Sequence, residues 1–260
     1  MFTNLWRYVD KVLAIVQVEA IKLGHDPTEL VTRAIQPALW LLVFGQIMAR
    51  SRMMDTGSVA YLDFLAPGIL AQSVLFIAIF FGIAIIWERD LGIVHKLIAS
   101  PTPRTALVLG KAIAAGLRAL SQVVIILALS AVLGVRVAWQ PLPLLGLVAV
   151  VFLGAGLFAT LSLIIACLVK TRERFMGIGQ VLTMPLFFAS NAIYPISLMP
   201  RWLQVVARGN PLTYEVDALR ALMIAGSHSQ FGLGWDFAML AGSGLLLVVI
   251  AGKLYPNVVT

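Results

Sequence analysis

The chain has 260 residues, a formal net charge of +7, 60% hydrophobic and 12% charged side chains, and a mean hydropathy of +0.96. Soluble domains carry about 25% charged residues, so this composition excludes an ordinary soluble protein and points to one that lives in a membrane. The basic residues are scattered through loops and form no stripe, which fits membrane topology and anionic lipid and argues against nucleic-acid binding.

Residues 1–29 read as a helix lying in the membrane interface. Leu5, Val9, Val12, Val16, Ala20 and Leu23 recur at helical spacing among Arg7, Asp10, Lys11, Glu19 and Lys22. The same charges interrupt any apolar signal-peptide core. A soluble helix packed on a partner is the alternative.

Six apolar runs follow, at 30–49, 62–86, 106–133, 142–169, 175–195 and 236–254. Each is close to the roughly 20 residues that a helix needs to cross a hydrocarbon core about 30 Å thick. In lipid the backbone must satisfy its own hydrogen bonds, and unbroken apolar runs suit helices better than the alternating strands of a barrel. The expected fold is an all-α integral membrane bundle of six spans in one domain. With the N-terminus inside, twelve Lys and Arg lie on the cytoplasmic side and six outside, so both termini are expected in the cytoplasm. Arg118 falls in the third run, seven residues after Lys111 on one helical face, and is expected near the cytoplasmic interface. Cys167, the only cysteine, reads as packing.

Between the second and third runs lies WERDLGIVHKLIASPTPRTALVLGK, residues 87–111. Leu91, Val94, Leu97 and Ile98 share one face of a short helix whose other face holds Arg89, Asp90, His95 and Lys96, and Pro101 and Pro103 stop it. An amphipathic helix on a stiff elbow beneath the membrane is shaped to touch something; a loop resting on headgroups is the bland alternative.

The fifth run breaks at Pro195 and Pro200. A short helix through Trp202 and Val206 is expected to end near Gly209, and Asn210 with Pro211 reads as the N-cap and first position of another. In that second helix Leu212, Val216, Leu219 and Met223 share a face, with Asp217 and Arg220 paired three apart on the other. The stretch 196–225 is expected to be an external, partly re-entrant helix pair.

Chemistry is sparse. His25, His95 and His228 lack carboxylate partners at metal-ligand spacing, and Ser243 has no histidine in any span to activate it. The acidic residues are expected outside the spans or at their margins, Asp63 opening the second and Asp236 the sixth. No buried carboxylate is therefore expected to carry coupled protons or sodium, which weighs against the alternative reading, an ion-coupled secondary transporter or channel subunit. Asn191, an amide in a span, should face protein or water.

In order and placement these features resemble the permease subunit of the type-2 ATP-binding-cassette (ABC) exporters, the family that includes drug-resistance, Nod-factor and polysaccharide export permeases. The resemblance rests on Glu88, Arg89, Gly92, Leu97, Pro101, Arg104, Gly110 and Lys111 in the first stretch, and on Pro195, Pro200, Asn210, Pro211, Leu212, Thr213, Tyr214, Leu219 and Arg220 in the second. It implies that 87–104, with Asp90, is a coupling helix docking on a cytoplasmic ATPase. It also implies two permeases working with two ATPase subunits, a homodimer or a pair with a sister chain, in a bacterial-type plasma membrane. ATP and Mg would be bound by the partner, and this chain has no G-x-x-x-x-G-K-[ST] loop and would hold no cofactor or metal. The resemblance further implies that the second and fifth spans meet at the dimer interface. There Phe76, Phe80, Phe81, Phe187, Phe188 and Asn191 would line a path for an amphiphilic cargo; packing between helices or against lipid is the alternative for each aromatic.

Overall fold

The computed structural model describes residues 2–25, 27–51, 59–94, 102–169 and 171–255, without the side chains of 2–5 and 23–31. Its helices are α1 (Phe2–His25), α2 (Pro27–Leu39), α3 (Gln46–Ser51), α4 (Tyr61–Asp90), α5 (Arg104–Val132), α6 (Pro141–Leu168), α7 (Arg172–Phe188), α8 (Arg201–Gly209), α9 (Pro211–Met223) and α10 (Leu233–Leu254). A π turn at Trp40–Gly45 joins α2 to α3, and a 3-10 turn at Ile196–Leu198 precedes α8.

Among the described residues, four helices are long and apolar enough to cross a membrane: α4, α5, α6 and α10. The shortest, α10, has 22 residues and so is about 33 Å long at 1.5 Å per residue. The expected first run, 30–49, is helical but divided by the π turn, three residues after Pro37, whose missing amide leaves a carbonyl without its usual partner. The expected fifth run, 175–195, ends as a helix at Phe188, three residues after Pro185, and α7 has 17 residues.

α4 runs through the middle of the bundle, packed against α5, α6, α7 and α9. Its face is kept thin where neighbours come close. A Cβ on Gly68 would run into the backbone of Ala192, and one on Gly82 would meet Ser162 and Phe175. Ser162 on α6 uses the space, accepting from the Gly82 amide at 3.1 Å and donating to the Ile79 carbonyl. α10 is the opposite case: of its residues only Asp236, Leu240 and Ala251 are buried, and Leu245, Leu246, Val249 and Ile250 are exposed. So wide an uncovered apolar surface belongs in lipid, and the chain is a multi-pass membrane protein.

α1 is not laid out alone. It lies along the first half of α5, where the Tyr8 hydroxyl donates to Thr105 at 3.2 Å and Ile15 fills the gap left by Gly110. The C-terminal end of α4, the start of α5, the end of α6 and the start of α7 share one end of the bundle; α8, α9 and the starts of α4, α6 and α10 share the other. At that far end Val137 pairs with Ile224 in a single antiparallel bridge, with Ala138 N to Met223 O and Ala225 N to Arg136 O both at 2.8 Å.

The close passage of α4 over Ala192 can be tested. Gly68→Val should destabilise the chain by about 1–3 kcal/mol, as overpacking does. Gly177→Ala on α7, where nothing lies within 4 Å of the added carbon, should leave the melting temperature in detergent unchanged or slightly raised.

Candidate functional site

At the first end, five charged side chains from three helices form one network. Lys111 of α5 donates to Glu88 of α4 at 2.7 Å and lies 3.5 Å from Glu19 of α1; Lys22 of α1 reaches Glu88 at 2.9 Å and Glu19 at 3.1 Å; Arg118 of α5 reaches Glu19 at 3.1 Å. Glu19, Glu88 and Lys111 are buried. Burial opposes the charge on Lys22, but the Glu88 and Glu19 carboxylates outweigh it and hold its pKa above the ordinary lysine value. Arg118, expected near an aqueous interface, instead faces the bundle, with its guanidinium 4.8 Å from the Phe81 ring.

The network reassigns Glu88. Expected to face a partner protein, it points back into the chain and ties α4 to α1 and α5. Its neighbours carry the outward chemistry. Arg89 donates to the Val169 carbonyl at 3.3 Å, and Asp90 accepts from Arg172 at 2.7 Å, whose guanidinium also sits 4.1 Å from the exposed Trp87 ring. The two turns at this end, after α4 and before α7, are thereby tied together. Gly92 ends α4 with φ +71°, the left-handed conformation that glycine adopts without strain, and its amide closes on Arg89 O at 2.9 Å. Arg104 is exposed at the start of α5; Leu97 and Pro101 lie outside the described residues.

Within one chain the six residues expected to line a path do not share one wall. Phe76 and Phe80 stack at 6.1 Å and border a cavity of about 180 Å³ with Arg33 and Gln72. Phe80, Phe81, Trp87, Lys22 and Arg118 border another of about 620 Å³. Phe187 is buried against Trp40 with its ring centroid 6.2 Å away, Phe188 is exposed, and the Asn191 side-chain amide is buried with no hydrogen-bond partner among the described residues.

At the far end the expected caps are in place. Pro195 and Pro200 precede the 3-10 turn and α8. The Asn210 side chain accepts from Leu212 N at 3.0 Å and donates to Leu186 O at 2.7 Å and Ala189 O at 3.0 Å, with Pro211 in the first turn of α9. The Tyr214 hydroxyl donates to Arg208 O at 2.6 Å. The expected Asp217–Arg220 pair does not form; each group serves a break in the backbone elsewhere. Asp217 accepts from Ser229 at 2.9 Å and from the amides of Gln230 and Phe231 at 2.7 and 3.0 Å. Arg220 donates to Asn191 O at 2.8 Å and Phe64 O at 3.2 Å, with its guanidinium 3.8 Å from the Phe64 ring.

α9 is also not two-faced. Every residue from Leu212 to Arg220 is buried, because α4, α6 and α10 surround it. That overturns the expectation that no carboxylate is buried: Glu215, which the sequence reading did not single out, is fully enclosed. Among the described residues no group of three or more His, Cys, Asp or Glu comes together as metal ligands would.

A multi-spanning helical chain with one ion-tied end and one end closed by the short buried helix α9 has the form of a membrane transport subunit. Residues 10–224 match the family described as ABC-2 type transporter, and the chain belongs to that family. It is 27% identical over 250 residues to the transport permease ycf38 of Cyanophora paradoxa, covering 94% of this chain and 85% of that protein. It is 26% identical over 254 residues to the daunorubicin resistance ABC transporter permease protein DrrB1 of Streptomyces coeruleorubidus, covering 96% and 80%. With the inner membrane transport permease YadH of Escherichia coli K12 the identity is 24% over 227 residues, covering 85% and 82%.

The buried network makes a signed prediction. Lys111→Met leaves two carboxylates short of a cation and should cost on the order of 3 kcal/mol, whereas Lys111→Met with Glu88→Gln should recover a measurable part of it, because removing both charges removes the uncompensated one. Thermal unfolding of the single and double variants in detergent checks the order.

Proposed function

We propose that this chain is the permease of an ATP-driven exporter. Two permeases, identical or sister chains, would work with two copies of a separate cytoplasmic subunit that binds ATP and Mg and hydrolyses the nucleotide. The family carries this reading, together with one observation: the turns after α4 and before α7 are tied into a single surface by Arg89–Val169 and Arg172–Asp90. A partner pressing on such a surface displaces two helices at once. In this reading the ion-paired end is cytoplasmic, both termini lie on that side of a bacterial-type plasma membrane, and 87–104 is the coupling segment. The broken helix over 27–51 and α7 complete six crossings. Glu88 acts as a positioning residue inside the chain.

The cargo is proposed to be amphiphilic. The supporting feature is the cavity of about 620 Å³ beside the coupling segment, whose lining combines Ile77, Phe80, Phe81 and Trp87 with the charged Lys22, Arg33, Glu88 and Arg118. Export would follow from a partner whose nucleotide states favour different openings of the permease pair.

Mass measurement of the complex gently extracted from native membranes, followed by its ATPase activity, tests the reading. Equal numbers of permease and nucleotide-binding subunits are expected. Gly92→Val, strained by its β-branch at positive φ, should leave that complex assembled while lowering cargo-stimulated hydrolysis. A stable chain with no ATPase partner would return the protein to an ion-coupled transporter, the reading that Glu215 alone would favour. Arg220→Met, at the opposite end, should impair export without releasing the ATPase; loss of the partner would place that end wrongly.

A further inference from the structure

The Glu215 carboxyl group sits in an unusual place. α9 lies antiparallel against α6, with Leu222 over Gly146 and Glu215 over Gly154, so that a Cβ on Gly154 would occupy the space of the carboxyl group. Gly154 is thirteen residues into α6, which is about 20 Å along its axis and near mid-height. α9 therefore carries an acid from a loop segment down to the middle of the bundle, and both of its oxygens are buried with no hydrogen-bond partner among the described residues.

Among the described residues no fixed charge is on hand to hold an anion there. α6 has no Asp, Glu, Lys, Arg or His along its whole length. On α4, Asp63 is taken up by Arg136 at 2.8 Å, and Glu88, Arg89 and Asp90 are at the opposite end. On α10, Asp236 accepts from Ser229 at 2.7 Å and Lys253 lies in the last turn. α8 offers only Arg201 and Arg208, both exposed, and His228 in the following loop is exposed too. Within α9, Asp217 and Arg220 are committed to the backbone groups already described. An ionised carboxylate without a partner in such surroundings is far too costly to persist, and the group resides there as the neutral acid.

We infer that Glu215 is a proton-binding site. It holds its proton while α9 is seated in the groove of Gly146 and Gly154, and gives it up to water when α9 withdraws, so that seating of α9 takes up one proton. The site is a property of this chain alone; only its link to transport rests on the permease reading. An acid at membrane depth facing the bundle interior is the type of group that transporters use to take up and release protons.

The test uses infrared difference spectroscopy on the full chain in lipid, carrying isotope-labelled glutamate, because a neutral carboxylic acid and a carboxylate absorb at different frequencies. One glutamic acid of the unmodified chain should be neutral at pH 7 and the signal should vanish in Glu215→Gln. Absence of any neutral glutamic acid in the unmodified chain overturns the inference, even where the variant fails to fold. Stability gives the second readout. An unfolded glutamate ionises near pH 4.3, so the folded chain binds the extra proton, and its melting temperature should fall as pH rises from about 6 to 8. The fall should be smaller in Glu215→Gln; parallel curves would count against the site. Both readouts stand whether or not an ATPase partner is found.

Discussion

Every charge taken into this bundle has to be answered by the chain itself, and that constraint decides where the helices go. Glu19 and Glu88 could not be buried singly, since an isolated carboxylate in a low-dielectric interior is penalised by several kcal/mol or more. Between them stand Lys111, Lys22 and Arg118, contributed by α5 and α1. The helix that the sequence presents as a surface amphipath is in consequence anchored by its polar side as well as its apolar one. Its acidic residue is the point of attachment.

The two ends of the bundle solve a second problem with the same tool. Wherever a helix stops inside protein, carbonyl groups lose their partners. Arg89 answers Val169 at one end, and Arg220 answers Asn191, just past the end of α7, at the other, with a further bond to the Phe64 carbonyl inside α4. Arginine suits both places because its planar fork has five donors and cannot lose its charge. Asn210 does the same for Leu186 and Ala189 at the end of α7 while its own oxygen starts α9. The irregular backbone of the far end is tolerable at depth because side chains supply the missing hydrogen bonds.

How much of this was legible in the sequence follows from which signals are local. The long apolar runs that became α4, α5, α6 and α10 were legible, as was the Asn210–Pro211 start of α9, because length, periodicity and caps depend on neighbours in sequence; the stop at Gly92 was not, since the stretch from Leu91 to Ile98 read as one helix ended by Pro101 and Pro103. The break of the first run at Trp40–Gly45 and the shortness of α7 were not, although Pro37 and Pro185 marked both. The direction in which a charged side chain points was the least legible. Glu88 and Asp90 are two residues apart with similar chemistry, yet one is buried with two lysines and the other meets Arg172 at the surface. Glu215 drew no attention in the sequence because its burial comes from α4, α6 and α10, distant elements whose approach no local pattern announces. The mutual spacing of Gly146 and Gly154 on α6, with Leu222 and Glu215 on α9, was the one signal that could have found it.

The double duty of Asn210 has a mechanical consequence. One amide grips the last carbonyls of α7 and the first amide of α9, so these helices are pinned together by a single side chain although residues 189–210 separate them in sequence. A tilt of α7 is handed directly to α9, and a rotation of α9 about that hinge swings its length along α6 like a lever about a pin. Asn210 thus gives a displacement of α7 a direct mechanical path to α9 at the opposite end of the molecule.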